Sequence, residues 1–151
     1  MAFQLNEFLT KDRIRCKTTA QDWRDVVQKT GALMKEAGLI ESEYIRAMVE
    51  LIEDSGPYLV VAPGVALLHA RPEDGVKKAG MALLTLSDPV EFGHSSNDPV
   101  WIAFGLAATT DTSHVEVMAE LATWLSKPGA IEALKQSESP EEISEMIQEH
   151  Y

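Results

Sequence analysis

The chain has 151 residues, enough for one domain with a full hydrophobic core, and its 45% apolar and 25% charged content is that of an ordinary globular protein. A net charge of -11 argues against nucleic acid or an anionic membrane surface as main partner; it suits a basic protein partner, or simply solubility. The lone Cys16 allows no intramolecular disulfide, the first 17 residues lack a signal peptide's apolar run, and no stretch nears the roughly 20 apolar residues that span a bilayer, so a reducing, cytoplasmic setting is expected.

Trp23, Val26, Val27, Leu33, Met34 and Ala37 recur at helical spacing and form one apolar face. Thr19 followed by Asp22 resembles a capping box, and Gly38 is a good stop. A second helix is predicted from about Ser42, with Tyr44, Ala47, Met48, Leu51 and Ile52 inward; Gly56-Pro57 breaks it. Extended runs follow at 58–62, 65–69, 80–86 and 99–107, the third apolar on both faces. Helices return at about 113–126 and 131–134. Ser139-Pro140-Glu141-Glu142 then opens a last one, with Ser as cap and Pro at the first helical position. This order predicts an α/β fold: one domain over residues 1–151, a mixed sheet flanked by helices on both faces.

Four histidines punctuate the chain. His150 lies beside the C-terminus and His94 in the polar loop EFGHSSND, where an ordinary loop role is the simplest reading. His69 ends an apolar run and starts a polar loop, a place where α/β sheets bind ligands. There one ring nitrogen can donate to a backbone carbonyl, leaving a neutral imidazole usable as a nucleophile; the alternative is a satisfied core histidine. His114 opens a helix, where unpartnered N–H groups attract anions, so it either shares in phosphate binding or is a plain first-turn residue. No phosphate-binding glycine loop, dinucleotide fingerprint or regular zinc pattern is present. A scattered metal site from His69, His94 and Asp98, serving a metal-dependent hydrolase, stays open. Cys16 lies between Arg15 and Lys17, which could depress its thiol pKa.

The segments PYLVVAPGVALLHARPEDGV (57–76), LSDPVEFG (86–93), NDP (97–99) and FGLA (104–107) leading to His114 resemble the EIIA components of the bacterial phosphoenolpyruvate-dependent sugar phosphotransferase system, mannitol/fructose class. The likeness runs from about Trp23 to Leu125. His-Ala-Arg-Pro-Glu after position 68, where mannitol types more typically read His-Gly, points to the ascorbate branch. The resemblance implies the same mixed-sheet fold and a phosphocarrier. It would accept a phosphoryl group from phospho-HPr on Nε2 of His69 and pass it to a cysteine of EIIB, while a membrane EIIC moves the sugar. His114 would help hold the group. A regulatory relay without sugar transport is the related alternative. The imidazole would carry the covalent chemistry, so no metal or bound nucleotide is implied.

The chain departs from the family pattern twice. Leu68 precedes the histidine where proline is usual, and Leu51 stands where mannitol types carry an arginine one turn after Tyr44-x-x-x-Met48. Arg71 is the candidate for the missing charge. If the backbone stays extended, alternation sends it to the same face as His69; the rival reading is that it only pairs with Glu73 or Asp74 on the loop surface.

Overall fold

The computed structural model describes residues 5–150, apart from the side chains of residues 111–114 and 150. A short helix α1 (Leu5–Phe8) and a 3-10 turn (Lys11–Arg13) lead into strand β1 (Ile14–Thr18). Then come α2 (Trp23–Glu36), α3 (Ser42–Ser55), β2 (Val60–Ala62), β3 (Val65–Leu68), a second 3-10 turn (Pro72–Asp74), β4 (Gly80–Val90), β5 (Val100–Ala107), α4 (Asp111–Leu125), α5 (Ala130–Gln136) and α6 (Pro140–His150). The strands form one sheet in the order β1-β4-β5-β3-β2. The pairs β1/β4 and β3/β5 are parallel, and β4/β5 and β2/β3 antiparallel, so the sheet is mixed as expected.

Strand alternation divides the core in two. Ala66, Leu68, Ala82, Leu84, Ala103 and Ala107 face α2 and α3, while Val65, Leu67, Met81, Leu83, Ile102, Phe104 and Leu106 face the layer of α1, α4, α5 and α6. Burial on both faces is why β3, the first half of β4 and β5 read as unbroken apolar runs. Helix α2 lies close on β5: a Cβ at Gly105 would come within 2.6 Å of the Met34 sulfur and 2.9 Å of Thr30 Cγ2.

The helix ends obey local chemistry. Asp22, rather than Thr19, caps α2: its carboxylate accepts the Asp25 N–H at 2.9 Å, and Asp25 in return accepts the Gln21 N–H at 3.0 Å. At the other end the Leu39 N–H bonds the Met34 carbonyl and the Gly38 N–H that of Lys35, with Gly38 at φ 76, the left-handed stop that favours glycine. Ser139 caps α6 through the Glu142 N–H.

Residues 5–18 carry α1, a 3-10 turn and β1, elements beyond those expected. Ile14–Thr18 alternates buried and exposed residues and joins the sheet edge beside Leu83, Leu84 and Leu86. Cys16 on this strand is not an activated thiol. Burial pushes its pKa up, Glu142 and Glu141 add to that, and the Thr85 hydrogen bond and Lys17 only partly offset it. Strand β4 continues past Leu86 to Val90, with a register shift against β5 between Thr85 and Val90. Among the described residues no helix is long and apolar enough to cross a membrane.

Candidate functional site

The topology gathers the candidate residues at one end of the sheet. Leu68 pairs with Gly105 at the end of β3, and Gly80 pairs with Ala107, so the end of β3, the end of β5 and the start of β4 lie side by side. Helix α4 starts four residues after β5 ends, which brings the backbone of His114, in its first turn, to the same end. The side chain of His114 lies outside the described residues.

His69 follows the last residue of β3 and is half-buried. Its Nδ1 lies 2.9 Å from the carbonyl oxygen of Leu67. A carbonyl only accepts, so Nδ1 carries the proton. In the neutral ring the lone pair is then on Nε2. The chain beyond it is equally fixed. The Ala70 N–H donates to the Tyr44 hydroxyl at 2.9 Å, and that hydroxyl lies 2.7 Å from the Leu106 carbonyl and 3.1 Å from that of Ala70. Tyr44 is 1% exposed, and burial pushes its phenol pKa up to about 12.

Arg71 has extended backbone, φ -81 and ψ 152, and caps the turn of Pro72–Asp74. Its own N–H donates to the Asp74 carboxylate at 3.0 Å, and its Nε stands 3.5 Å from the same oxygen. The side chain is 75% exposed. The guanidinium therefore rests on the loop surface, as in the second of the two arrangements considered for it. Gly75, at φ 128, then turns the chain against α3, where the Glu41 N–H bonds its carbonyl at 2.8 Å.

His94 and Asp98 belong elsewhere. Their loop joins the end of β4 to the start of β5, and the Gly64 N–H, just before β3, bonds the Asn97 carbonyl. His69 lies five residues further along that strand, about 16 Å at the usual rise. The two histidines sit at opposite ends of the sheet and cannot share an ion. Each loop residue also has its own work. Nδ1 of His94 accepts the N–H groups of Ser96 and Asn97, while the Asp98 carboxylate accepts those of Phe92, Gly93 and His94. The metal-site reading from His69, His94 and Asp98 thus fails on geometry. Among the described residues no group of three or more His, Cys, Asp or Glu could hold a metal ion.

An apolar groove of about 310 Å³ opens between β2, the C-terminal half of α4 and α5, lined by Val61, Leu67, Met118, Leu121, Leu125 and Ile131 among others; Met118 in its lining lies one turn after His114. Val61, Val115 and Met118 are unusually exposed for apolar side chains, at 46%, 66% and 37%.

Two organising groups, Tyr44 at the His69 end and Asp98 at the opposite end, are harder to find in a sequence. The polar tip of Tyr44 on an otherwise apolar helix face is a signal, because a buried phenol requires a partner. The loop-binding role of Asp98 leaves no local mark beyond its place before Pro99.

Comparison with known proteins agrees with this geometry. Residues 7–150 match the family described as phosphoenolpyruvate-dependent sugar phosphotransferase system, EIIA 2. The chain is 43% identical over 115 residues to the ascorbate-specific PTS system EIIA component of Shigella flexneri, covering 76% of this chain and 75% of that one. It superposes on the mannitol-specific cryptic enzyme IIA of Escherichia coli with a TM-score of 0.87 at 28% identity, covering 97% and 99% of the two chains. It superposes on the nitrogen regulatory protein IIA-Ntr of Neisseria meningitidis with a TM-score of 0.78 at 25% identity, covering 94% and 97%. A mixed sheet with a histidine held at its end, a full-length family match and a relative of this identity lead to one conclusion: the chain belongs to the EIIA 2 family of the sugar phosphotransferase system, and is a phosphotransferase component of that system.

Proposed function

We propose that the protein is a cytoplasmic phosphocarrier that takes a phosphoryl group from phospho-HPr onto Nε2 of His69 and passes it to a cysteine of EIIB, in the uptake of L-ascorbate through a membrane EIIC. The observation that carries this reading is the Nδ1–H bond from His69 to the Leu67 carbonyl, which leaves the Nε2 lone pair as the nucleophile. In the step the Nε2 lone pair attacks the phosphorus, and the P–N bond to the HPr histidine breaks. That nitrogen keeps the electron pair. Transfer to EIIB repeats the exchange with a thiolate as nucleophile. Such transfers have loose transition states, so the protein's task is to position the partners and neutralise charge.

His114 serves as the second histidine that steadies the phosphoryl group, supported by its place in the first turn of α4 at the His69 end. Arg71 supplies positive charge by leaving Asp74 once His69 is phosphorylated. An exposed pair of this kind is worth only about 0–1 kcal/mol, so a dianion two residues away can displace it. Phospho-HPr covers the exposed Val115 and Met118, which follow His114 at the start of α4, since a donor that reaches His69 must lie over the surface beside it. Residues 1–151 act as one EIIA domain.

Ascorbate is favoured over a regulatory role because the identity to the ascorbate-specific component is 43%, against 25% to the nitrogen regulatory protein. The test is reconstitution with phosphoenolpyruvate, enzyme I, HPr and the EIIB and EIIC of an ascorbate system. Phosphorylation of ascorbate is expected; phosphoryl uptake without onward transfer to that EIIB would favour the regulatory role.

A further inference from the structure

We propose that Tyr44 is a positioning residue for phosphoryl transfer: its hydroxyl is wedged into the β3–β5 ladder directly after His69, ends the strand pairing there, and sets how the imidazole presents Nε2. The proposal rests on the phosphocarrier reading of His69.

The register shows the wedge. In β3 the Leu67 N–H points to the β2 side, where it bonds the Leu59 carbonyl. The N–H groups of alternate residues, Leu68 and then Ala70, therefore point toward β5. With Leu68 paired to Gly105, the next rung of a parallel ladder would run from the Ala70 N–H to the Leu106 carbonyl. That rung is replaced. The Ala70 N–H donates to the Tyr44 oxygen at 2.9 Å, and the Tyr44 O–H donates onward to the Leu106 carbonyl at 2.7 Å. One hydroxyl oxygen thus relays between two strands that would otherwise close on each other.

The consequence falls on His69. Its backbone lies between the last true rung, at Leu68, and the relay at Ala70. If the relay were absent the strands could close, carrying residue 69 into the ladder and turning its side chain with it. The alternative for the chain is an unsatisfied Ala70 N–H in a buried place. Phenylalanine would fill the same space and do neither job of the oxygen. Nor does Tyr44 meet a partner protein, for it is 1% exposed. Its effect must pass through the backbone of residues 69 and 70. Burial raises the phenol pKa to about 12, so the hydroxyl stays protonated, as a donor to Leu106 must be.

The test compares the full chain with Tyr44→Phe, using phospho-HPr as donor, at low temperature with far-UV circular dichroism to establish folding. The maximal transfer rate is expected to fall about tenfold or more, while the KM for phospho-HPr is unchanged. The ¹⁵N shifts of the His69 ring are expected to move. A variant that melts earlier but keeps the wild-type rate and ring shifts would overturn the proposal and leave Tyr44 a structural residue. If Tyr44→Phe does not fold, 2,3,5-trifluorotyrosine at position 44, which keeps the ring and hydroxyl but accepts more weakly from Ala70, takes its place with the same expectation in smaller degree. Failure of the wild-type chain to accept phosphate would instead remove the phosphocarrier reading, and this proposal with it.

Discussion

The Nδ1–H of His69 donates to the carbonyl of Leu67, two residues back on its own chain, at 2.9 Å. The tautomer is thus set by the backbone. It does not depend on the charge of Arg71, whose guanidinium is engaged with Asp74. Orientation of the nucleophile and neutralisation of the phosphoryl charge are separate tasks here, and substitutions should separate them.

Arg71→Ala and Arg71→Lys are both expected to slow phosphoryl uptake from HPr while the ¹⁵N shifts of His69 stay at wild-type values. Lysine does not restore the rate, because a point charge lacks the guanidinium fork. Thermal stability should change little, since the Asp74 pair is exposed. Wild-type rates in both variants would assign Arg71 to the loop surface alone.

His114→Ala is expected still to be phosphorylated, but to pass the group to EIIB slowly. Loss of one preorganised donor to a transferring group costs roughly 10²–10³ in rate. Single-turnover transfer from the phosphorylated protein to EIIB measures this, and an unchanged rate would reduce His114 to a helix-start residue.

Met118→Glu places a charge on the apolar surface beside the site. The KM for phospho-HPr should rise severalfold with the maximal rate nearly unchanged. An unaltered KM would mean that HPr docks elsewhere.

Alkaline stability reports on Tyr44. Burial pushes its phenol up to about 12, the charge of Asp74 adds to this, and the Ala70 hydrogen bond offsets part of it. An unfolded tyrosine ionises near 10. The folded-state pKa is the higher one, so the stabilisation is fully present below about pH 10 and is lost as pH rises from there through 12, to the extent of roughly 3 kcal/mol. Denaturant melts between pH 9 and 12 should show this loss in the wild type and a smaller one in Tyr44→Phe. Equal slopes would contradict it.

Much of this was legible in the sequence where the signals were local. The apolar stripe of α2, the Ser139-Pro140 start of α6 and the unbroken apolar run of β5 each state their own structure. Strand β1 was not legible, because Arg15 and Lys17 make a five-residue edge strand look like a charged loop, and what stabilises it, the pairing with β4 and the burial of Ile14, is non-local. The expected run stops at Leu86, before Ser87-Asp88-Pro89, yet β4 runs on through it. At the site, the position of His69 at a strand end followed from its neighbours. The relay through Tyr44 to Leu106 did not, since it joins residues 62 positions apart. The separation of His94 from His69 likewise depends on β3 and β5 being parallel, which no local pattern specifies.

The central claim is that His69 carries the phosphoryl group, and one measurement bears on it most directly. The wild-type chain and His69→Ala are incubated with phosphoenolpyruvate, enzyme I and HPr, and intact mass and peptide mapping by mass spectrometry are read at alkaline pH. The wild type is expected to gain one acid-labile phosphoryl group, mapped to His69, and the folded variant none. A phosphoryl group on His69→Ala at the wild-type rate, or one mapped to another residue of the wild type, would contradict the account.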